Sequence, residues 1–237
     1  MRFGIKLKVI EKEFDLDYRR LFLSFLKKSL ETNDKKTFGK LYNKKDPIQK
    51  DFTFSVYFGK SKFTKEKIIL DSNYIYLNVS VYDDELAIHF YNAFLGMKNV
   101  DFRNLFSFEK IEIKKEKNVE NEMIFKTLSP IIARLHNKDN NKDKFYTFED
   151  EKFEEVLRIN LYNKVKKAFD YDMKNEIEEL EIKLLNPKKT VVKNYNLKIP
   201  CTLGTFKISG NLDLIDYFYK SGIGAKNGLG FGMIEAI

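Results

Sequence analysis

Apolar and polar positions alternate from the start of the chain, which predicts that it begins with a half-buried β-strand. The apolar members of this alternation are Phe3, Ile5, Leu7 and Val9. From position 17 the period changes, and apolar side chains recur three and four positions apart, which is the spacing of one helix face. The members of this second pattern are Tyr18, Leu21, Phe22, Phe25 and Leu26. The chain therefore opens with a strand followed by a helix.

The same two periods continue along the chain in an order that repeats once. The first half has strand patterns at 52–58, 67–70, 74–82 and 106–115 and a second helix pattern at 84–97. The second half has strand patterns at 123–128, 181–185, 190–193, 197–209 and 230–237, with helices starting after 150 and 211. Each half reads β-α-β-β-α-β, the ferredoxin-like order. We predict an α+β protein of two tandem ferredoxin-like (RRM-like) folds, divided into residues 1–118 and 119–237, with a glycine-rich loop near its C-terminus.

Residues 35–50 follow neither period and are rich in lysine. The basic positions are Lys35, Lys36, Lys40, Lys44, Lys45 and Lys50, and the only acidic residue of the segment is Asp46. Without an apolar face the segment has nothing to bury against the core. We therefore expect an exposed basic loop between the first helix and the strand that follows it.

Charge narrows the class of partner. The chain of 237 residues carries 43 Lys and Arg against 35 Asp and Glu, a formal net charge of +8. Such an excess favours a polyanion such as nucleic acid. A general lysine bias of the source proteome would give the same excess, so charge alone leaves that alternative open.

The few cysteines and histidines limit the chemistry. Cys201 is the only cysteine and His89 and His136 are the only histidines, which excludes a disulfide framework and zinc sites built from several cysteines. We therefore expect no metal and no other cofactor. The basic alternating start lacks the apolar core of a signal peptide, and no apolar run approaches the length of a membrane helix. These features predict a cytoplasmic protein with no membrane partner.

Five of the 11 glycines fall within residues 222–232. Glycine lets backbone amides approach a phosphate closely, and Lys226 adds a matching positive charge. The predicted RNA-binding positions here are Gly222, Gly224, Lys226, Asn227, Gly228, Gly230 and Gly232. A dinucleotide-binding motif is excluded, because its third glycine would have to stand where Asn227 is. A tight turn before an edge strand is the alternative interpretation.

The two histidines receive different predictions. His89 lies within the second predicted helix, which favours a structural role. His136 and Arg134 lie where a strand pattern gives way to a polar segment at 137–144, so both are predicted to contact a base or phosphate.

Several of these features together resemble the CRISPR repeat-processing endoribonucleases of the RAMP superfamily. The glycine-rich loop is the most specific match, and the segments at 52–55 and 127–131 also resemble the family in the expected order. The resemblance implies that the chain binds CRISPR repeat RNA and cleaves precursor CRISPR RNA within the repeat without metal. In that reaction a ribose 2′-OH attacks the adjacent phosphate, leaving a 2′,3′-cyclic phosphate and a 5′-OH. The resemblance also leaves open two further partners, which are the subunits of an interference complex and a second copy of the chain.

The resemblance further implies where the chemistry lies. Many members carry a histidine between the first helix and the next strand, and this sequence has Tyr42 in that region. The predicted catalytic residues are Tyr42, Lys50, Lys36 and Lys40, with lysine stabilising the phosphate and a perturbed lysine or phenol relaying protons. Two alternatives remain open: His136 substitutes from the second half, or the chain is a non-catalytic RNA-binding subunit of an interference complex.

Overall fold

The computed structural model of the chain describes residues 1–42, 48–98 and 100–237. The elements of the first half are β1 (Arg2–Val9), β2 (Glu13–Asp15), α1 (Tyr18–Asn33), α2 (Lys35–Tyr42), β3 (Phe52–Tyr57), β4 (Ser61–Phe63), β5 (Lys67–Leu70), β6 (Tyr74–Val81), α3 (Asp84–Leu95), β7 (Asp101–Phe102) and β8 (Phe106–Lys114). Those of the second half are β9 (Glu122–Thr127), β10 (Ala133–Asn137), β11 (Lys142–Tyr146), α4 (Phe153–Val165), α5 (Lys174–Glu179), β12 (Glu181–Asn194), β13 (Leu197–Ser209), α6 (Leu212–Ser221), a 3-10 turn (Asn227–Leu229) and β14 (Ile234–Ala236).

Two antiparallel sheets carry the fold. Their strand orders are β3-β6-β1-β8-β7 and β12-β13-β9-β14. Numbered within the β-α-β-β-α-β unit of each half, four strands of each sheet lie in the order second, third, first, fourth, which is the ferredoxin-like arrangement. The prediction of two tandem ferredoxin-like folds is confirmed. The β10–β11 hairpin and a small β2-β5-β4 sheet are additions to this frame.

Helices cover one face of each sheet because that face carries the apolar side chains. In β1, Phe3, Ile5 and Leu7 are completely buried, as the alternation predicts. They share a core with α1 and α3, where the Phe22 and Phe106 rings stack with centroids 5.3 Å apart. A second core joins α4 and α6 to the other sheet. Within the described residues, no helix is both long and apolar enough to cross a membrane.

The expectation of a basic loop over residues 35–50 is wrong for its first part, which forms helix α2. Thr37 and Leu41 are buried four positions apart, and the carboxylate of Asp34 accepts a hydrogen bond from the Thr37 amide at 3.0 Å. Two apolar or small side chains between exposed lysines give too weak a pattern to reveal a helix. Lys44 and Lys45 lie outside the described residues.

Strand β12 is longer than the sequence pattern indicates, because it runs through Pro187. This proline pairs with Gly204 of β13, next to a register shift between Leu184 and Asn186. Since β12 lies at the edge of its sheet, a residue without an N–H is tolerated there. The predicted polar loop at 137–144 is likewise the turn and flanking residues of the β10–β11 hairpin.

Candidate nucleic-acid interface

The glycine-rich loop, residues 222–232, belongs to the second half but is fastened to the first. Buried Arg19 of α1 donates from Nε to the Gly230 carbonyl at 3.1 Å, and its guanidinium lies 4.8 Å from the centre of the Phe231 ring. Thr53 of β3 donates its hydroxyl to the Phe231 carbonyl at 2.8 Å. The loop therefore lies at the junction of the two ferredoxin-like folds.

Most glycines of this loop face protein. Gly222, Gly224, Gly230 and Gly232 are buried and adopt positive φ angles. A Cβ on Gly224 would lie 2.6 Å from the carbonyl oxygen of Ile132, and one on Gly230 would lie 2.6 Å from the Phe54 ring. Conformation and close packing thus account for these glycines without a ligand. Contact between them and RNA stays a prediction.

Asn227 fixes the shape of the loop from inside. Its buried side chain donates to the carbonyls of Ile223 and Phe231, both at 3.1 Å. Lys226 and Gly228, on either side of it, are only half-buried. The outer surface of the loop is therefore offered by the neighbours of Asn227, and its own contact with RNA stays a prediction.

Three of the predicted RNA-binding side chains converge on one carboxylate that the sequence did not single out. Asp143 of β11 lies 2.6 Å from Arg134 Nη1, 3.0 Å from His136 Nδ1 and 3.3 Å from Lys226 Nζ. Burial acts to raise the pKa of Asp143, but the hydrogen bond with His136 and the charges of Arg134 and Lys226 outweigh it and lower the pKa. We call this group the Asp143 cluster. It places more positive than negative charge beside the glycine-rich loop.

Tyr42 and Lys50 are brought together as predicted candidates, and Lys27 of α1 joins them. The ammonium groups of Lys50 and Lys27 lie 4.4 Å and 4.7 Å from the centre of the Tyr42 ring. Burial and the nearby charge of Lys27 lower the pKa of Lys50. Burial raises the pKa of Tyr42, whose hydroxyl is buried and has no hydrogen-bond partner within the described part of the chain. The phenol therefore stays protonated at neutral pH, and Lys50 gives up its proton more easily than an ordinary lysine.

We call Tyr42, Lys50 and Lys27 the Tyr42 group, and it touches the glycine-rich loop through Lys50. A Cβ on Gly228 would come within 3.1 Å of Lys50 Cδ, so the lysine stem lies directly against the glycine. Lys36 and Lys40, the other predicted catalytic residues, are exposed on α2. The histidines lie elsewhere: His136 is in the Asp143 cluster, and His89 on α3 lies 2.5 Å from Asp34.

A buried polar network that the sequence reasoning missed supports Lys50. Lys164 of α4 donates to the carbonyls of Ser221 and Gly222, at the start of the loop. Burial lowers the pKa of Lys164 to about 7, with an opposing contribution from Asp51. The Tyr217 hydroxyl of α6 donates to Asp51, the residue after Lys50, at 2.6 Å. The network therefore links the start of the glycine-rich loop to the segment that carries Lys50. The signal was a lysine on the otherwise apolar face of a predicted helix.

Comparison with known proteins identifies the family to which this chain belongs. The sequence profile described as "CRISPR associated protein Cas6, C-terminal" matches residues 112–236. "CRISPR-associated endoribonuclease Cas6 1" of Methanocaldococcus jannaschii is 31% identical over 194 residues, which cover 78% of this chain and 73% of that protein. The chain belongs to the Cas6 family. The resemblance drawn from the glycine-rich loop and the segments at 52–55 and 127–131 is thereby confirmed.

Other Cas6 relatives and solved structures agree on the fold. "Putative CRISPR-associated endoribonuclease-like protein Cas6" of Pyrococcus furiosus is 31% identical over 132 residues, which cover 54% of this chain and 53% of that protein. The solved structure "Characterization of a Cas6-related gene from Pyrococcus furiosus" superposes with a TM-score of 0.85 at 24% identity, covering 100% of this chain and 98% of the other. "An RAMP protein binding different RNA substrates" gives a TM-score of 0.86 at 24% identity over 100% and 99% of the two chains. At this identity the superpositions establish the shared Cas6 fold.

Proposed function

We propose that this Cas6-family chain binds CRISPR repeat RNA and cleaves precursor CRISPR RNA within the repeat, without a metal ion. The observation that carries the proposal is the packing of Lys50 between the Tyr42 ring and Gly228, which joins a proton-relaying pair to the glycine-rich loop. The name of the Methanocaldococcus relative, an endoribonuclease, supports the reaction class.

RNA binding in this proposal starts from the Asp143 cluster and the outer surface of the loop. Arg134, His136 and Lys226 each place a nitrogen within 3.3 Å of the Asp143 carboxylate, a grouping that suits the oxygens of a phosphodiester. Lys36 and Lys40 on α2 extend the positive surface and hold the strand by charge. Gly228 and its neighbours allow the backbone of the loop to approach the RNA.

Cleavage needs a base, an acid and positive charge at the phosphate. In the proposed step the 2′-oxygen forms a bond to phosphorus while the bond from phosphorus to the 5′-oxygen breaks. Lys50, in its neutral form, accepts the 2′-OH proton, and the Tyr42 phenol donates a proton to the departing 5′-oxygen. The Lys27 ammonium stabilises the charge that grows on the phosphate. The products are a 2′,3′-cyclic phosphate and a 5′-OH.

A second function is favoured by one specific observation: the Tyr42 hydroxyl is buried, and neither histidine belongs to the Tyr42 group. A chain that binds the repeat without cutting it would act as an RNA-binding subunit of an interference complex. A homodimer is a further proposal that rests on the family alone. A cytoplasmic location also stays a prediction.

We also propose a domain division at residues 1–118 and 119–237. The two buried cores support it, since the buried residues of one end at Phe108 and those of the other begin at Phe125. The Arg19 and Thr53 contacts to the loop would then be contacts between domains.

The deciding experiment incubates matched repeat RNA and a scrambled RNA of equal length with the protein in EDTA. We expect tighter binding and cleavage of the matched RNA only, with a cyclic phosphate on one product and a 5′-OH on the other. Deoxyribose at the cleaved position should abolish cutting and leave binding nearly intact. Tight, specific binding without cleavage would select the non-catalytic subunit, and equal binding of both RNAs would refute repeat recognition. Loss of cutting only in His136→Ala would move the acid or base to the second half.

A further inference from the structure

Among the residues that the structure describes, those of the second half cover the outer face of the first sheet, opposite α1 and α3, at one end only. At that end Thr53 of β3 binds the Phe231 carbonyl, and Ser80 of β6 donates its hydroxyl to the Lys220 carbonyl at 2.7 Å. Arg2 of β1 donates to the carbonyl of Ile234 at 2.7 Å. The second half therefore closes the end of the sheet face that lies next to the glycine-rich loop.

The other end of this face exposes aromatic rings. Tyr57 of β3 and Tyr76 of β6 stand opposite each other in the ladder, with ring centroids 6.3 Å apart. They are 62% and 39% exposed, and both rings lie on the side of the sheet that faces away from the core. Beside them, the Lys6 ammonium lies 3.5 Å from the centre of the Tyr74 ring. The two rings are tilted by 40° to each other, so each offers its own exposed surface. Exposed rings on a sheet face with a cation beside them are the arrangement on which RNA bases stack.

A lysine from a third strand lies across the middle of the face. Lys114 of β8 reaches over Gly4 of β1 and donates to the Asn78 side chain of β6 at 2.6 Å. A Cβ on Gly4 would lie 2.6 Å from Lys114 Cε, so the glycine provides the space that the lysine occupies. Asn78 in turn donates to Ser55 of β3 at 3.4 Å. This chain of contacts holds a positive charge between the tyrosines and the end that touches the loop.

The acids of the face are paired with cations. Glu109 accepts from Lys6 at 2.8 Å, and Glu112 accepts from Lys110 at 2.5 Å. Glu235, near Lys114, also lies 3.6 Å from Arg2. The charge of Lys6 is therefore partly balanced by Glu109. Lys114 feels the charges of Glu235 and Glu112 but forms no ion pair with a described carboxylate, so it remains to attract a phosphate.

We propose that this tyrosine face, Tyr57, Tyr76, Lys6 and Lys114, binds single-stranded RNA with consecutive bases stacked on the Tyr57 and Tyr76 rings. The proposal rests on the proposed function, since it extends the path of the same RNA. Thr53, which touches the loop, and Tyr57 point to the same side of one strand, about 14 Å apart at the usual strand rise. A few extended nucleotides therefore connect the glycine-rich loop with the tyrosine face.

The test measures binding of two probes, the matched repeat RNA and a short single-stranded oligouridine, which carries no repeat sequence. Tyr57→Ala and Tyr76→Ala should each weaken binding of both probes by about 5- to 150-fold, because stacking on an aromatic side chain is lost. Tyr57→Phe and Tyr76→Phe keep the ring and should bind as the wild type does. Tyr171→Ala is the matched control, since Tyr171 is 55% exposed and packs on Phe169 away from this face. A thermal melt of each variant checks that the fold is retained.

An abasic scan of the repeat gives a second measurement. We expect adjacent abasic positions to weaken binding to the wild type and to have little further effect in the Tyr57→Ala, Tyr76→Ala double variant. Gly4→Ala, which displaces Lys114 without removing its charge, should also weaken oligouridine binding. Alanine variants that bind both probes as tightly as Tyr171→Ala would overturn the proposal and indicate that the face takes a protein partner. Failure of the proposed function looks different: the wild type would not prefer the repeat, whereas the tyrosine variants would still lose oligouridine.

Discussion

The Lys50 side chain lies against Gly228, so closely that a Cβ on the glycine would be 3.1 Å from Lys50 Cδ. The contact joins the segment before β3 to a loop that lies far along the chain. Because the stem of a lysine is flexible, a small side chain at position 228 would displace Lys50 by a few tenths of an ångström rather than unfold the protein.

We therefore expect Gly228→Ala to lower the single-turnover cleavage rate several-fold at saturating RNA, beyond any loss of affinity that follows from the place of Gly228 on the outer surface of the loop. Lys50→Ala should lower the same rate further, since an interaction made mainly in the transition state affects the chemical step. In the double variant the two losses should be clearly less than additive, because both act through Lys50. Additive losses would mean that Gly228 acts independently of Lys50.

Tyr42→Phe should separate catalysis from stability. The Tyr42 hydroxyl is buried without a partner in the described part of the chain, so its removal should leave the free energy of unfolding unchanged or raise it by about 1 kcal/mol. Loss of the proton donor should lower the cleavage rate by about a hundredfold. Urea unfolding and single-turnover kinetics measure the two effects, and Tyr171→Phe, at an exposed tyrosine, serves as the control. An unchanged rate would remove Tyr42 from the mechanism.

The salt dependence of RNA affinity should report how many phosphates the Asp143 cluster contacts. Each phosphate neutralised on single-stranded RNA contributes about 0.7 to the slope of log affinity against log salt. Lys226→Ala and Arg134→Ala should each weaken binding and reduce this slope by about 0.7. Lys166→Ala, an exposed cation after α4, should leave the slope unchanged. A fall in affinity with an unaltered slope would indicate that the two cations only maintain the local structure.

Asp143→Asn should have opposite effects on binding and on stability. The carboxylate competes with RNA for Arg134, His136 and Lys226, so its removal should tighten binding roughly threefold to tenfold at low salt. The pKa of Asp143 is lowered in the folded protein, so its stabilising contribution is present above its usual value of 3.8 and is lost as the pH falls through the lowered value. At neutral pH the variant should therefore unfold more easily, by about 1 kcal/mol. Weaker RNA binding would show instead that Asp143 orients the cations for the phosphate.

Lys164→Met tests the buried network through pH. In the folded protein the pKa of Lys164 is lowered by burial from 10.5 to about 7, so between these values the unfolded chain binds more protons. The free energy of unfolding of the wild type should therefore rise relative to the variant as the pH increases through this window, by at most about 1.4 kcal/mol per pH unit. Lys166→Met, on the surface, should show no such trend. A constant difference between wild type and Lys164→Met would mean that the buried amine does not change its protonation there.

Sequence patterns predicted those strands and helices in which burial in the core alone sets the spacing of apolar residues. The alternation around Phe3 and the helical spacing around Phe22 appear in the structure as β1 and α1. Helix α2 and the middle of β12 were missed, because local contacts decide them: an amide of Thr37 bonded to Asp34, and Pro187 tolerated at a sheet edge. The spacing of apolar residues does not reveal such contacts.

The site was predictable as a position along the chain but not as a set of neighbours. Tyr42 and Lys50 are close in sequence, and the structure brings them together. Lys27 and Asp143 could not be predicted, since nothing in a single sequence shows which surface of α1 faces Tyr42 or which acid faces Lys226. The burial of the loop glycines was hidden for the same reason.

The hydrogen bond from Arg19 to Gly230 joins residues separated by 211 positions. A contact of that sequence separation requires the closure of almost the whole chain, and the entropy of closing long loops makes such contacts slow to form. During refolding, the helices and hairpins should therefore be complete before the glycine-rich loop docks on α1. RNA binding should then recover later than secondary structure. The chain would therefore pass through an intermediate that has its helices and strands but does not yet bind RNA.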